Sequence, residues 1–364
     1  MTYALVAAVL LLAFANGAND NFKGVATLWG TGRYRYGTVL LWGTLATFAG
    51  ALLGGLLAGG LVKIFSGSQF LGKAVSLDTS FLAAVGLGAA ATVLLATWMG
   101  APISTTHALA GSLVGAGLLA VGVSGVGWAV LATTIALPLL LSPLVAMALT
   151  LVAFPPLARW LRSRSCVCLI EPAPVLLPSG EAAQAARGFL PGLRIAHRAG
   201  CERGDEQVRW NTEELIHWGS AGLISFSRGL NDTPKIAALL VTVPVLVPAM
   251  NYLLLAGAMA LGGLVAAARV ARTMSHRVTR IEPLPGMTAN LVAALLVGVA
   301  SRWALPVSTT HVAMGGIFGV GVRKRRHTNW PLVRQIILAW IVTLPLGLAC
   351  GFGFYWLLKT LVQK

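Results

Sequence analysis

Two short motifs occur twice in this chain, each rich in residues that carry charge or donate hydrogen bonds. Residues 102–117 read PISTTHALAGSLVGAG and residues 306–321 read PVSTTHVAMGGIFGVG, identical at eight of sixteen positions. Ahead of each lies an Asn-Asp pair with a lysine three residues past the aspartate: FANGANDNFKGVA at 14–26 and FSRGLNDTPKIAA at 226–238. Two motifs repeated in the same order make the chain an internal duplication. Of its eleven acidic residues, Glu171, Glu181, Glu202, Asp205, Glu206, Glu213 and Glu214 fall in a hydrophilic central stretch or its exit. Asp78 and Glu282 lie in loops beside basic residues, which leaves Asp20 and Asp232 within apolar runs, at equivalent places in the repeat.

Each motif suits a particular ligand. Proline favours a helix start and serine or threonine caps it. The unpaired N–H groups of that start, with the helix dipole, attract an anion. Ser104, Thr105 and Thr106, facing Ser308, Thr309 and Thr310, would surround a tetrahedral anion with donors. In the other motif, Gly17, Asn19 and Asp20, and Gly229, Asn231, Asp232 and Pro234, all disfavour a continuous helix. Unwinding at these points would expose oxygens for a cation, with Asn19, Asp20, Asn231 and Asp232 as the coupling set. Lys23, Lys235 and Arg228, the last standing where the first copy has Asn16, compensate the aspartates or sense the anion. Two carboxylates beside an anion repel it unless a cation or proton intervenes, so anion binding is coupled to a cation. Phosphate near neutral pH carries protons to donate to a carboxylate, whereas sulfate does not; the aspartates therefore favour phosphate.

Other chemistries fit less well. His107 and His311 follow Ser104 and Ser308 by three residues, but hydrolysis needs one site with an oriented base. Here two symmetric sites have no orienting acid, so the histidines are read as hydrogen-bonding within the helix pair, and no catalytic residue is assigned. Cys166, Cys168, His197 and Cys201 include zinc-like spacings, but the gap between the pairs is wide. They are read as reduced thiols, with no metal and no cofactor beyond the coupling ion.

The elements that position these residues follow from composition. The chain of 364 residues is 57% apolar and 10% charged, against about a quarter charged in soluble domains. Apolar runs at 36–62, 80–98, 128–154, 243–268 and 332–358 are long enough to cross a membrane. The opening run 1–14 lacks a basic start and a cleavage site, so it reads as a first membrane helix. The net charge of +16 is concentrated in short loops, at Arg33 and Arg35, at 269–280 and at Arg323, Lys324, Arg325 and Arg326. That is the pattern of cytoplasmic loops, not of a nucleic-acid-binding face. With these loops inside, the termini lie outside and the two copies have opposite topology, a signature of secondary transporters. The expected fold is therefore an all-α polytopic membrane protein of two inverted repeats, 1–155 and 214–364, around a cytoplasmic insert at 156–213. Segments 80–123 and 286–321 form re-entrant hairpins or full helix pairs whose tips meet near the midplane.

With these residues in hand, the sequence resembles the inorganic phosphate transporter (PiT) family over both membrane halves. The most specific parts are Gly17-Ala18-Asn19-Asp20, Asn231-Asp232 with Lys235, and the two Pro-x-Ser-Thr-Thr-His motifs. The resemblance implies inorganic phosphate uptake across a plasma (inner) membrane by symport with H+ or Na+. It also implies Asn-Asp pairs near the ions, the Ser-Thr-Thr turns on the anion, and a homodimer in lipid. A sulfate permease of the same fold and a passive anion channel are the alternatives; a receptor or scaffold would not need duplicated acids. The family pattern continues Asn-Asp-Val-Ala-Asn, whereas here Asp20-Asn21-Phe22-Lys23 puts a lysine at the amide's place. Its ammonium could replace a bound cation, leaving protons as the coupling ion. Cysteines placed at the N-terminus and after Lys359 should label from outside intact cells, and one within 323–327 should not. External labelling of 323–327 would overturn the inverted arrangement.

Overall fold

In the computed structural model, residues 1–72, 78–162, 165–170, 192–197, 212–241, 248–323 and 328–362 are described. The apolar runs become helices because a backbone in lipid must satisfy its own hydrogen bonds. In the first half these are α1 (Thr2–Asp20), α2 (Tyr36–Leu57), α3 (Thr79–Met99), α4 (Thr105–Val121) and α5 (Leu137–Arg162). In the second half they are α6 (Thr212–Ala237), α7 (Pro248–Ala266), α8 (Pro283–Arg302), α9 (Thr309–Arg323) and α10 (Trp330–Val362). Among the described residues, seven helical spans are long and apolar enough to cross a membrane. Large apolar side chains such as Leu56, Leu140, Val152, Leu261, Leu338 and Ile341 stand exposed on their outer faces, where lipid is the solvent.

Segments 80–123 and 286–321 each fold as a helical hairpin with one long and one short arm. The long arms, α3 and α8, have 21 and 20 residues. The short arms, α4 with 17 residues and α9 with 15, reach about 26 and 23 Å at 1.5 Å per residue. That is less than the roughly 30 Å of a hydrocarbon core. Gly100 ends α3 at φ 71°, a left-handed conformation that glycine adopts without strain. Ser104, in extended backbone, then caps α4 by accepting the His107 N–H at 3.2 Å, and Ser308 caps α9 through the His311 N–H at 3.2 Å.

One expectation needs correction. The helices do not unwind at Gly17–Asp20 or Gly229–Asp232. α1 is continuous to Asp20, and the break falls at Asn21 and Phe22, followed by a 3-10 turn (Lys23–Val25) and a short helix (Ala26–Gly30). α6 runs unbroken through Asn231, Asp232 and Pro234 to Ala237. The asparagine side chains reach other helices instead of competing for their own backbone, and the Pro234 ring lies 3.1 Å from where a Cβ on Gly54 would stand. The membrane halves are helical as expected, and in the insert between them β1 (Ser165–Ile170) pairs antiparallel with β2 (Gly192–His197). The side chains of Cys166, Cys168 and His197, the whole of Cys201, and residues 324–327 lie outside what is described. Glu214, at the start of α6, bonds Arg33 at 3.1 Å, tying that start to the loop before α2.

The halves interlock. α1 packs on α3 and α7, and its equivalent α6 packs on α8 and α2. α4 packs on α10, and α9 on α5. Each of these pairings thus has a counterpart with the halves exchanged. Glycine makes the closest crossings possible. A Cβ on Gly262 of α7 would lie 1.9 Å from the Phe14 carbonyl oxygen of α1, and one on Gly50 of α2 would lie 2.0 Å from that of Phe226 on α6. Overpacking of this kind costs about 1–3 kcal/mol. Gly262→Ala should therefore lower the melting temperature of the solubilised protein, while Gly257→Ala on the same helix, with nothing within 4 Å, should not. Equal melting of the two would contradict the packing described.

Candidate anion and cation site

α1 and α6 bring their aspartates to the two hairpin tips. Asn19, Asp20, Lys23, Arg228, Asn231, Asp232 and Lys235 are all buried, as are Ser104, Thr105, Thr106, Ser308, Thr309 and Thr310, none more than 5% exposed. All thirteen gather in one region. Lys23 therefore does not reach toward the membrane surface.

The bonds follow a crossed pattern. The Thr105 hydroxyl donates to Asp20 at 2.9 Å, and the Thr309 hydroxyl to Asp232 at 3.2 Å, each within its own half. Lys23 pairs with Asp20 and also donates to the Ile103 carbonyl at 2.6 Å and to Thr310 at 2.6 Å. Lys235 pairs with Asp232 at 3.3 Å and donates to the Asn231 amide oxygen, to the Val307 carbonyl at 2.7 Å and to Thr106 at 2.9 Å. Each ammonium thus takes the carbonyl just before its own half's serine and the second threonine of the opposite half. Thr310 donates in turn to the Ile103 carbonyl at 2.8 Å. The rings of His107 and His311 stack across the same junction, 4.6 Å apart. His311 Nδ1 bonds Ser308 at 2.7 Å, whereas His107 Nδ1 is buried without a partner.

The hydroxyls therefore do not form the uniform set of anion donors that their sequence suggests. The serines cap helices, the first threonines serve the aspartates, and the second threonines accept the opposite lysines. The amide nitrogens of Asn19 and Asn231 point to the hairpins, not the carboxylates, and brace them. Asn19 donates to Thr97 at 2.9 Å and Asn231 to Ser301 at 2.7 Å. Arg228 sits at the edge, bonded to Asn21 at 3.0 Å and Thr47 at 3.1 Å, with Asp232 at 3.9 Å.

Some of these partners went unassigned in the sequence. Asn16 donates to Asp20 at 2.9 Å and Thr105 at 3.1 Å and reaches Asp232 at 3.4 Å, bridging both aspartates. Thr97 and Ser301 do carry a signal, since each stands seven residues before the capping serine of its motif. Asn21 and Thr47 carry none.

Electrostatics favours an anion here. Lys23, Lys235 and Arg228 against Asp20 and Asp232 leave one formal positive charge, buried where charges need close partners. The N-termini of α4 and α9 add their dipoles. The same cluster also offers carboxylate, carbonyl and hydroxyl oxygens to a cation.

The chain as a whole resembles known proteins. The profile of the phosphate transporter family matches residues 16–351. A probable low-affinity inorganic phosphate transporter of Rhizobium meliloti is 28% identical over 94% of this chain and 91% of its own length. One of Bacillus subtilis is 25% identical over 99% and 97%, and the chloroplastic inorganic phosphate transporter 2-1 of Arabidopsis thaliana is 26% identical over 100% and 73%. A solved structure, titled the sodium-dependent phosphate transporter, superposes with a TM-score of 0.77 over 99% of both chains at 21% identity, which shows the fold.

Breaking a buried ion pair by removing one partner costs about 3–5 kcal/mol, and removing both recovers much of it. Lys235→Met should therefore lower the melting temperature well below that of the parent, and Lys235→Met with Asp232→Asn should regain at least half the loss. Additive losses would show that the two charges do not depend on each other.

Proposed function

The chain belongs to the phosphate transporter family, and from that premise we propose that it takes up inorganic phosphate by symport with a cation, through one site shared by two inverted halves. The crossed bonding of the two lysines carries this reading. Lys23 and Lys235 join the aspartate of one half to the threonine turn of the other. An anion entering between the turns must displace these contacts, and the carboxylates so exposed need a cation or proton before the anion can stay. Anion and cation are then bound together or not at all. The carboxylates beside the threonines favour phosphate over sulfate, since phosphate can donate a proton to them. Burial of the whole cluster supports a carrier over an open channel.

The same reading places the protein in a plasma membrane with termini outside, the insert in the cytoplasm, and a second copy beside it. Two contacts support the opposed orientation of the hairpins. Near the first tip, Arg269 and Thr273 of the basic loop after α7 donate to the Trp98 and Gly100 carbonyls at 2.6 and 2.9 Å. Near the second, Ala304 lies 2.7 Å from the place of a Cβ on Gly60, in the loop after α2. By charge, the first loop is cytoplasmic and the second external.

In proteoliposomes with imposed ion gradients, the parent should accumulate phosphate above equilibrium. Asp20→Asn and Asp232→Asn keep an oxygen for the lysines but lose the charge. Each should stay folded and lose concentrative uptake by at least about tenfold, the equivalent of 1.4 kcal/mol. Near-normal concentrative uptake by both variants would sink the coupling role of the aspartates.

A further inference from the structure

An ammonium group has three N–H bonds and no acceptor. Lys23 spends all three on oxygens: the Asp20 carboxylate, the Ile103 carbonyl and the Thr310 hydroxyl. Lys235 has four oxygens of the same kinds around it: the Asp232 carboxylate, the Asn231 amide, the Val307 carbonyl and the Thr106 hydroxyl. Carboxylate, carbonyl and hydroxyl oxygens on a broken or capped backbone are also the ligands with which transporters hold sodium. Two equivalent oxygen cages are thus each filled by a cation that belongs to the chain. Neither ammonium has a spare N–H for a ligand while these bonds stand.

We propose that Lys23 and Lys235 are tethered cations that replace mobile sodium, and that protons reaching Asp20 and Asp232 release the ammoniums to phosphate. The inference rests on the uptake reading and names its coupling ion. The step balances: a hydronium ion gives its proton to a carboxylate oxygen and leaves as water, the N–H···O hydrogen bond to that oxygen breaks, and the freed N–H donates to a phosphate oxygen. Each proton taken up thus turns an internal ion pair into one free positive charge for the anion. The groups facing the aspartates are consistent with this. Asp20 and Asp232 face Lys23, Lys235 and Arg228, while His107 and His311 stack beside the lysines. The nearby parts of α2, α3 and α8 bring Thr47, Thr97 and Ser301, which do not titrate in water.

The test uses the full chain in proteoliposomes, with labelled inorganic phosphate in sodium-free choline buffer. For the parent, an inward proton gradient alone should drive accumulation, and adding a sodium gradient should change the rate by less than about twofold. In Lys23→Asn, proton-driven uptake should fall about tenfold, as the loss of one buried charge contact warrants, and sodium should then stimulate it. A second measurement needs no transport: sodium should raise the melting temperature of purified Lys23→Asn relative to choline, and should leave that of the parent unchanged. Strict sodium dependence in the parent would overturn the tethered-cation assignment while the uptake reading stands. Sodium-insensitive melting and unchanged uptake of Lys23→Asn would overturn it too. Absence of phosphate uptake by the parent under both gradients would overturn both.

Discussion

Two ammonium groups, each shared between a carboxylate of its own half and a threonine of the other, are the constraint on which the rest of this structure depends. A charge at membrane depth costs at least about 2.5–3.5 kcal/mol even by the mildest scales, and here Lys23, Lys235, Arg228, Asp20 and Asp232 are all buried. They are tolerable only as a closed set. That requirement accounts for the break after Asp20, the serine caps at Ser104 and Ser308, and the approach of the two hairpin tips. It also explains why the halves cannot be treated as separate bodies: the ammonium that donates to each turn's second threonine comes from the other half.

The helix packing serves the same end. Gly17 and Gly262 let α1 and α7 cross at backbone contact, and Gly229 and Gly50 do so for α6 and α2. Gly17 and Gly229 stand three residues before the aspartates, so backbone meets backbone close to the chain's buried charges. Close packing excludes water and lowers the effective dielectric, which strengthens the paired charges and penalises any left unpaired. A ligand that disturbs one pair must therefore supply a replacement charge at once. On the proposed reading, coupling between anion and cation follows from that penalty.

Much of this was legible in the sequence. The duplicated Asn-Asp-x-x-Lys and Pro-x-Ser-Thr-Thr-His motifs stand out because polar residues are costly in apolar runs, and all thirteen assigned residues do gather in one place. What the sequence hid was who bonds to whom. Nothing in the spacing of Lys23 says that its hydroxyl partner is Thr310 and not Thr106, since that choice is made by how the halves interlock. Helix continuity was misjudged for a related reason. Gly229, Asn231 and Pro234 weaken a helix by local propensity, but Asn231 finds Ser301 on α8, and α6 stays whole. Asn16 was passed over because an amide in a helix is unremarkable until both aspartates are seen around it.

The central claim is that phosphate binds between the two threonine turns and is held by both halves at once. The most direct measurement is an experimental structure of the full chain with phosphate bound, determined in sodium-free buffer. The account predicts phosphate between residues 104–106 and 308–310, accepting hydrogen bonds from hydroxyl or backbone N–H groups of both turns. Phosphate seated against one turn alone, or away from the aspartate cluster, would contradict it.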